Sequence, residues 1–288
     1  MRPFCYARPN SLSEALSLLA EHGPDARLLA GGTDVLVRLR LGHMRPAIVV
    51  DLKHIGALRS DVVETDGCLR IGARAVMTDI IADGRIQRHF PALVEAATVV
   101  GSVQIRNRAT LAGNICNASP AADTAPVLLV HGATVNLIGS AGPRRVPLHE
   151  FFIGPGQTVL GPSELVGSID LPFSSDVSGA AFGRVTRRRG VDLATINLCC
   201  LVTGSGNVRF AFGAVGPRPF VVEDDTGALI GRSGRASQDA ALDRLLAHAT
   251  PISDVRANRD YRVAMLSVMS RRALDAATGR LHRAQAGA

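Results

Sequence analysis

Between Thr110 and Thr124 the sequence gathers small and short polar residues, Thr110-Leu111-Ala112-Gly113-Asn114-Ile115-Cys116-Asn117-Ala118-Ser119-Pro120-Ala121-Ala122-Asp123-Thr124. It then runs straight into the apolar stretch Ala125 to Val130. Gly113 lets backbone come close to a ligand, and Asn114, Asn117, Ser119, Asp123 and Thr124 offer short, stiff polar groups. Ser119 followed by Pro120 reads as an N-cap and a first-turn proline, which predicts a helix over Ala121 to His131. Free backbone N–H groups at a helix start, next to a glycine, suit a phosphate or pyrophosphate. One run of this kind is most simply a loop that caps a buried helix.

A second run changes the balance. In Leu29-Ala30-Gly31-Gly32-Thr33-Asp34-Val35-Leu36 a short strand over Arg27 to Ala30 ends in a glycine pair. Thr33 or Asp34 then caps a helix through Val35, Leu36 and Leu39. Two strand-to-helix turns, each with glycine beside Asn, Asp or Thr, fit two sides of one extended, phosphate-bearing ligand.

Together the two runs resemble the FAD-binding medium subunit of molybdenum hydroxylases, the family of the carbon monoxide dehydrogenase medium subunit and the xanthine dehydrogenase FAD domain. The patterns A-G-G-T-D/S and T-[IVL]-[GA]-G-N-x-x-x-x-[SD]-P-x-[AS]-D are both met, and the second is long enough to be specific. Further along, Ala181-Phe182-Gly183-Arg184-Val185-Thr186-Arg187-Arg188 resembles A-[FY]-x-K-x-x-R-R, with Arg184 where the family usually has lysine. The resemblance spans about residues 3 to 280.

The resemblance implies an α+β chain. A two-lobed FAD-binding domain of the vanillyl-alcohol-oxidase/molybdopterin-dehydrogenase type would occupy residues 1–174, with lobes of about 1–55 and 56–174. A small C-terminal domain of the carbon monoxide dehydrogenase flavoprotein type, a three-stranded antiparallel sheet with helices, would occupy 178–280. It further implies non-covalent FAD held by Leu29, Ala30, Gly31, Gly32, Thr33, Asp34, Val35 and Leu36, with Thr110, Leu111, Ala112, Gly113 and Asn114. Asp123 would accept from ribityl hydroxyls, and Val166 and Arg184 would lie by the isoalloxazine or its phosphate. Molybdopterin belongs to a large partner subunit and [2Fe-2S] clusters to a small one, in a dimer of heterotrimers. The chain is then an oxidoreductase subunit that takes electrons from those clusters and passes them to an external acceptor.

Composition removes several competitors. At 288 residues, 47% hydrophobic and 20% charged, the chain buries a real core and is neither disordered nor fibrous. The net charge of +7 is almost all arginine, Lys53 being the only lysine, but the arginines are dispersed and tryptophan is absent. A nucleic-acid surface is therefore disfavoured, with Arg187-Arg188-Arg189 its one foothold. The start carries no apolar leader and no window is long enough to span a bilayer, which predicts a cytoplasmic protein without membrane insertion. Cys5, Cys68, Cys116, Cys199 and Cys200 are odd in number and scattered, which predicts reduced thiols and no metal site. There is no G-x-G-x-x-G after a strand, no Walker loop, no ligand spacing among the histidines and no nucleophile elbow. No residue reads as catalytic; the chain is built to hold a cofactor that carries the reaction. A stand-alone FAD oxidase or reductase is the main alternative, and the short chain after Pro172 speaks against its larger substrate domain.

The rest of the chain reads as follows. Ser11-Leu12-Ser13-Glu14 has capping-box form ahead of a helix ending near Gly23-Pro24. Ala47 to Leu52, Leu69 to Ala73, a hairpin over Thr134 to Val146, Glu164 to Pro172 and Val208 to Val215 read as strands. Pro172 to Ser178 reads as a linker. Two amphipathic helices, around Ser237 to His248 and Asn258 to Thr278, precede a frayed tail from Gly279 to Ala288.

Overall fold

The computed structural model describes residues 3–230 and 234–286. Its first lobe runs strand–helix–strand–helix–strand, with one strand, Cys5–Ala7, more than expected. Ser11 caps the helix Leu12–His22 by accepting from the Glu14 amide at 3.1 Å, while the Glu14 carboxylate reaches back one residue further, to the Asn10 amide. That helix lays Ala15 and Leu19 on a parallel three-stranded sheet in which Ile48–Asp51 lies between Cys5–Ala7 and Ala26–Leu29. All four residues of Ile48–Asp51 are buried, as expected of a central parallel strand covered on both faces.

The second lobe is an antiparallel five-stranded sheet in the order Val62–Thr65, Cys68–Gly72, Glu164–Pro172, Thr134–Gly139, Gly142–Pro147. Glu164–Pro172 is its centre, and a bulge between Val166 and Ser168 tilts the strand where it passes the cleft described below. Short helices, among them Met77–Ala82, Pro91–Thr98 and Leu111–Cys116, connect these strands.

The third sheet departs from the expected three strands. Ser178–Val185, Ile196–Thr203, Val208–Gly213 and Phe220–Asp224 form a four-stranded antiparallel meander. The break at Pro217-Arg218-Pro219 makes a hairpin, and its returning strand Phe220–Asp224 is the fourth of the sheet. The final helix also outruns its expected end. Arg259–Ala286 continues through Gly279, because Leu281 is buried and Arg280 is tied to Glu95 and to the Ala180 carbonyl. Residues 287 and 288, the end of the expected tail, lie outside the described residues.

One helix, Thr124–Val130, is buried at every position. It joins the core of the second lobe to Ala180, Cys199, Leu201 and Ala211 of the third sheet. The segment leading into it is thereby clamped between the two. It starts three residues later than the sequence predicts: the Ser119 hydroxyl accepts from the Ala121 amide, making a turn around Pro120, and Asp123 takes the N-cap position. No described helix is long and apolar enough to cross a membrane, and all five cysteines are unpaired.

Candidate cofactor site

The two glycine-bearing runs meet. A side chain on Gly31 would collide with the Arg108 carbonyl and come within 3.1 Å of the Ala109 Cα, so the first turn lies directly on the backbone that opens the second run. Across the same junction the Asn117 amide donates to Asp34 Oδ1 at 3.3 Å. Gly32 completes the turn at φ 82°, a conformation that costs little only for glycine. A cleft of about 1000 Å³ opens along this junction, at the upper end of ordinary small-molecule pockets.

The two runs contribute differently to it. In the first, the amides of Gly31, Gly32, Thr33, Asp34 and Val35 find no acceptor among the described residues, and Asp34 heads the helix Val35–Arg40 without capping it. In the second, the Thr110 hydroxyl accepts from the Gly113 amide at 3.0 Å and so caps Leu111–Cys116 itself. Asn114 Oδ1 accepts from Thr124 Oγ1 at 2.7 Å, which leaves its Nδ2 as the spare donor. The run expected as a glycine-bearing turn ahead of a helix is thus itself a short, self-capped helix followed by a turn. Burial raises the Asp34 carboxyl above its ordinary range, with Arg38 pulling the other way.

Of the residues expected at a site, Ala30, Gly31, Gly32, Thr33, Asp34, Val35, Thr110, Ala112, Gly113, Asn114, Asp123 and Val166 line the cleft. Leu29 and Leu111 lie beneath it in the core, and Leu36 is half exposed and does not line it. Arg184 stands behind the wall. Its Nε is 3.1 Å from Asp123 Oδ1 and its guanidinium is bonded to the Asp192 carbonyl, so its charge reaches the cleft only through Asp123. Asp123, 7% exposed, also accepts from Asn197 Nδ2 at 2.9 Å. Burial pushes its carboxyl up to about 6 despite the amide and the guanidinium, which pull it down.

The cleft has further walls beyond the residues expected to hold the ligand. Arg38, His43 and Arg45 stand at the first-lobe end, and Arg188, Val191, Asp192, Leu193 and Arg256 approach from the third sheet and its loops. Arg187 and Arg188, the foothold for nucleic acid, are turned onto Asp192 at 3.5 and 3.9 Å. Asn117, one of the short polar groups of the second run, also lines the cleft; Asn197 is the one strongly polar side chain between Ile196 and Val202, a signal in itself.

Open turn amides, spare amide and carboxylate groups and an apolar floor at Val166 fit an extended ligand with a phosphate middle and a flat end. Residues 2–174 match the family described as the FAD binding domain in molybdopterin dehydrogenase, and residues 181–277 match the CO dehydrogenase flavoprotein C-terminal domain. The chain is 34% identical over 278 residues to the xanthine dehydrogenase FAD-binding subunit of Escherichia coli O157:H7, covering 94% of this chain and 95% of that protein. It is 34% identical over 282 residues to the carbon monoxide dehydrogenase medium chain of Hydrogenophaga pseudoflava, covering 96% and 98%. The solved structure of carbon monoxide dehydrogenase from Hydrogenophaga pseudoflava superposes with a TM-score of 0.89 at 33% identity, covering 97% of this chain and 99% of that one. Quinoline 2-oxidoreductase from Pseudomonas putida 86 gives 0.87 at 28% identity, covering 97% and 99%. Motifs, fold and overall likeness agree: this chain belongs to the FAD-binding medium subunits of the molybdenum hydroxylases, a family of oxidoreductase flavoproteins.

Proposed function

We propose that the chain binds FAD non-covalently in this cleft and acts as the flavin relay of a heteromeric molybdenum hydroxylase. It takes electrons from [2Fe-2S] clusters of a small partner and passes them to an external acceptor, while a large partner with molybdopterin oxidises the substrate. The observation that carries this reading is the contact of Gly31 with Arg108 and Ala109, which sets the open amides of Gly31 to Val35 opposite the Thr110–Asn114 helix start across one cleft.

In this reading the amides of Gly31 to Val35 donate to the pyrophosphate, and Asn114 Nδ2 donates from the facing side. The Asp123 carboxylate accepts from a hydroxyl of the ribityl chain. Val166, in the bulged strand Glu164–Pro172, gives the ring system an apolar seat that excludes water. Bound there, FAD supplies a store for two electrons that can be filled singly. No side chain of the cleft need transfer a proton to carbon, because the carbon chemistry belongs to the partner. The family likeness supports partners of this kind; a dimer of heterotrimers is the assembly we propose.

The test is an anaerobic mixing experiment with the complex purified from its host. Adding the substrate of the molybdenum subunit is expected to bleach oxidised flavin in the complex and leave the isolated, FAD-loaded chain unbleached. Flavin that stays oxidised in the complex while the clusters are reduced would contradict the relay.

A further inference from the structure

The cleft wall from Pro120 to Asp123 is gripped from behind by one row of the third sheet. Arg184, Asn197 and Gly213 stand opposite one another across three adjacent strands, so the pleat places them on a common face. Asn197 is 0% exposed, and its Nδ2 donates to Asp123 Oδ1 at 2.9 Å and to the Ala121 carbonyl at 3.3 Å. Gly213 makes room for this: a side chain there would strike the Asn197 amide and come 3.0 Å from the Pro120 carbonyl. Ala214 donates its own amide to that carbonyl at 2.7 Å, taking φ 61° to do so. Arg184 Nε, at 3.1 Å, addresses the same Oδ1 of Asp123.

The row therefore occupies one carboxylate oxygen and leaves the other, Oδ2, without a donor among the described residues. An amide buried in an otherwise apolar strand is costly, the more so because Asn197 Oδ1 has no partner among the described residues. What offsets the cost is the hold of its Nδ2 on Ala121 and Asp123.

Building on the FAD reading above, we propose that Asn197, with Arg184 beside it, is a positioning residue for the flavin. It pins Asp123 by one oxygen so that the other is presented to a hydroxyl of the cofactor's ribityl chain. The C-terminal sheet, whose strands do not themselves line the cleft, thereby sets how tightly the cleft holds FAD and over what pH range.

The charge facing Asp123 is Arg184, and behind it stands Asp192, neutralised by Arg187 and Arg188. Helix Thr124–Val130 and the turn Pro120 to Ala122 bring no charge, and in helix Leu111–Cys116 burial pushes the Cys116 thiol up to about 12. Asp123 is thus the group that titrates in this wall near neutrality, and losing the Asn197 donor moves its carboxyl further up.

The experiment is a titration of the full-length apo chain with FAD, followed by flavin fluorescence across pH, for wild type, Asn197→Asp and Asn197→Ala. Asn197→Asp keeps the shape but replaces the donor with a second carboxyl. It is expected to weaken FAD binding about tenfold at neutral pH and to move the pH at which binding fails upward by about one unit. Asn197→Ala is expected to weaken binding in the wild type but to change it less than about twofold in an Asp123→Asn background, since it acts through that carboxylate. If Asn197→Ala does not fold, Asn197→Ser, which keeps a shorter donor, is read in its place with a smaller loss. Wild-type affinity and pH midpoint in Asn197→Asp, or an equal loss in both backgrounds, would overturn the positioning role alone. A wild-type chain that takes up no FAD would overturn the cofactor reading beneath it.

Discussion

The two glycine turns look alike as sequence and behave differently as structure. At Gly31 the missing side chain is a contact: the turn rests on the Arg108 carbonyl, and the amides that follow stay open to the cleft. At Gly113 the missing side chain is a vacancy within a helix, where an added Cβ would meet only the Thr110 hydroxyl, at 2.8 Å. The first turn is built to donate, and the second to stand still and present side chains. Glycine beside Asn, Asp or Thr thus marks nearness to a ligand without telling which atoms face it.

The sharpest way to break this comparison is a pair of substitutions. Gly31→Val places its branches against backbone, which cannot step aside, so the two runs must part. Overpacking of this kind costs roughly 1–3 kcal/mol in stability, and FAD affinity is expected to fall about a hundredfold or more, as read by equilibrium titration. Thr110→Ala removes the cap from the second run and is expected to cost about 1 kcal/mol in chemical denaturation, with a modest loss of FAD affinity.

A third prediction concerns Asp123, whose carboxyl burial raises to about 6. The folded apo chain then binds more protons than the unfolded chain between pH of about 4 and 6, so this group adds stability as pH falls through that window. Lowering the pH from 7 to 5 is expected to favour wild type over Asp123→Asn by about 1 kcal/mol. His131, which burial pushes down to about 4, works in the opposite sense over the same range, so the effect is read as the difference between the two proteins. The smallest effect is expected at Gly113→Ala. About 1 kcal/mol of helix propensity gained offsets the disturbed cap, leaving stability within about 0.5 kcal/mol of wild type and FAD affinity well above that of Gly31→Val.

Much of this was legible in the sequence, for identifiable reasons. Glu164–Pro172 and the two runs carry strong local signals: an apolar strand closed by proline, and glycine with short polar neighbours. What was not legible is long-range. Ser119 and Pro120 satisfy every local rule for a helix start, yet Asn197 and Ala214 hold Pro120, Ala121 and Asp123 in a turn, and the helix waits until Thr124. Arg184 reads as a ligand-facing cation, but Asp123 and the Asp192 carbonyl claim it first. In each case partners distant in sequence outweighed the local preference.

The central claim, that both runs grip one diphosphate bridge, is tested most directly by titrating the purified apo chain with FAD, FMN and riboflavin under one set of conditions. FAD is expected to bind at least about a hundredfold more tightly than either shorter flavin, and Gly31→Val to abolish most of the difference. Equal affinity for all three would place the binding energy on the ring and its ribityl chain and contradict a shared grip on the diphosphate.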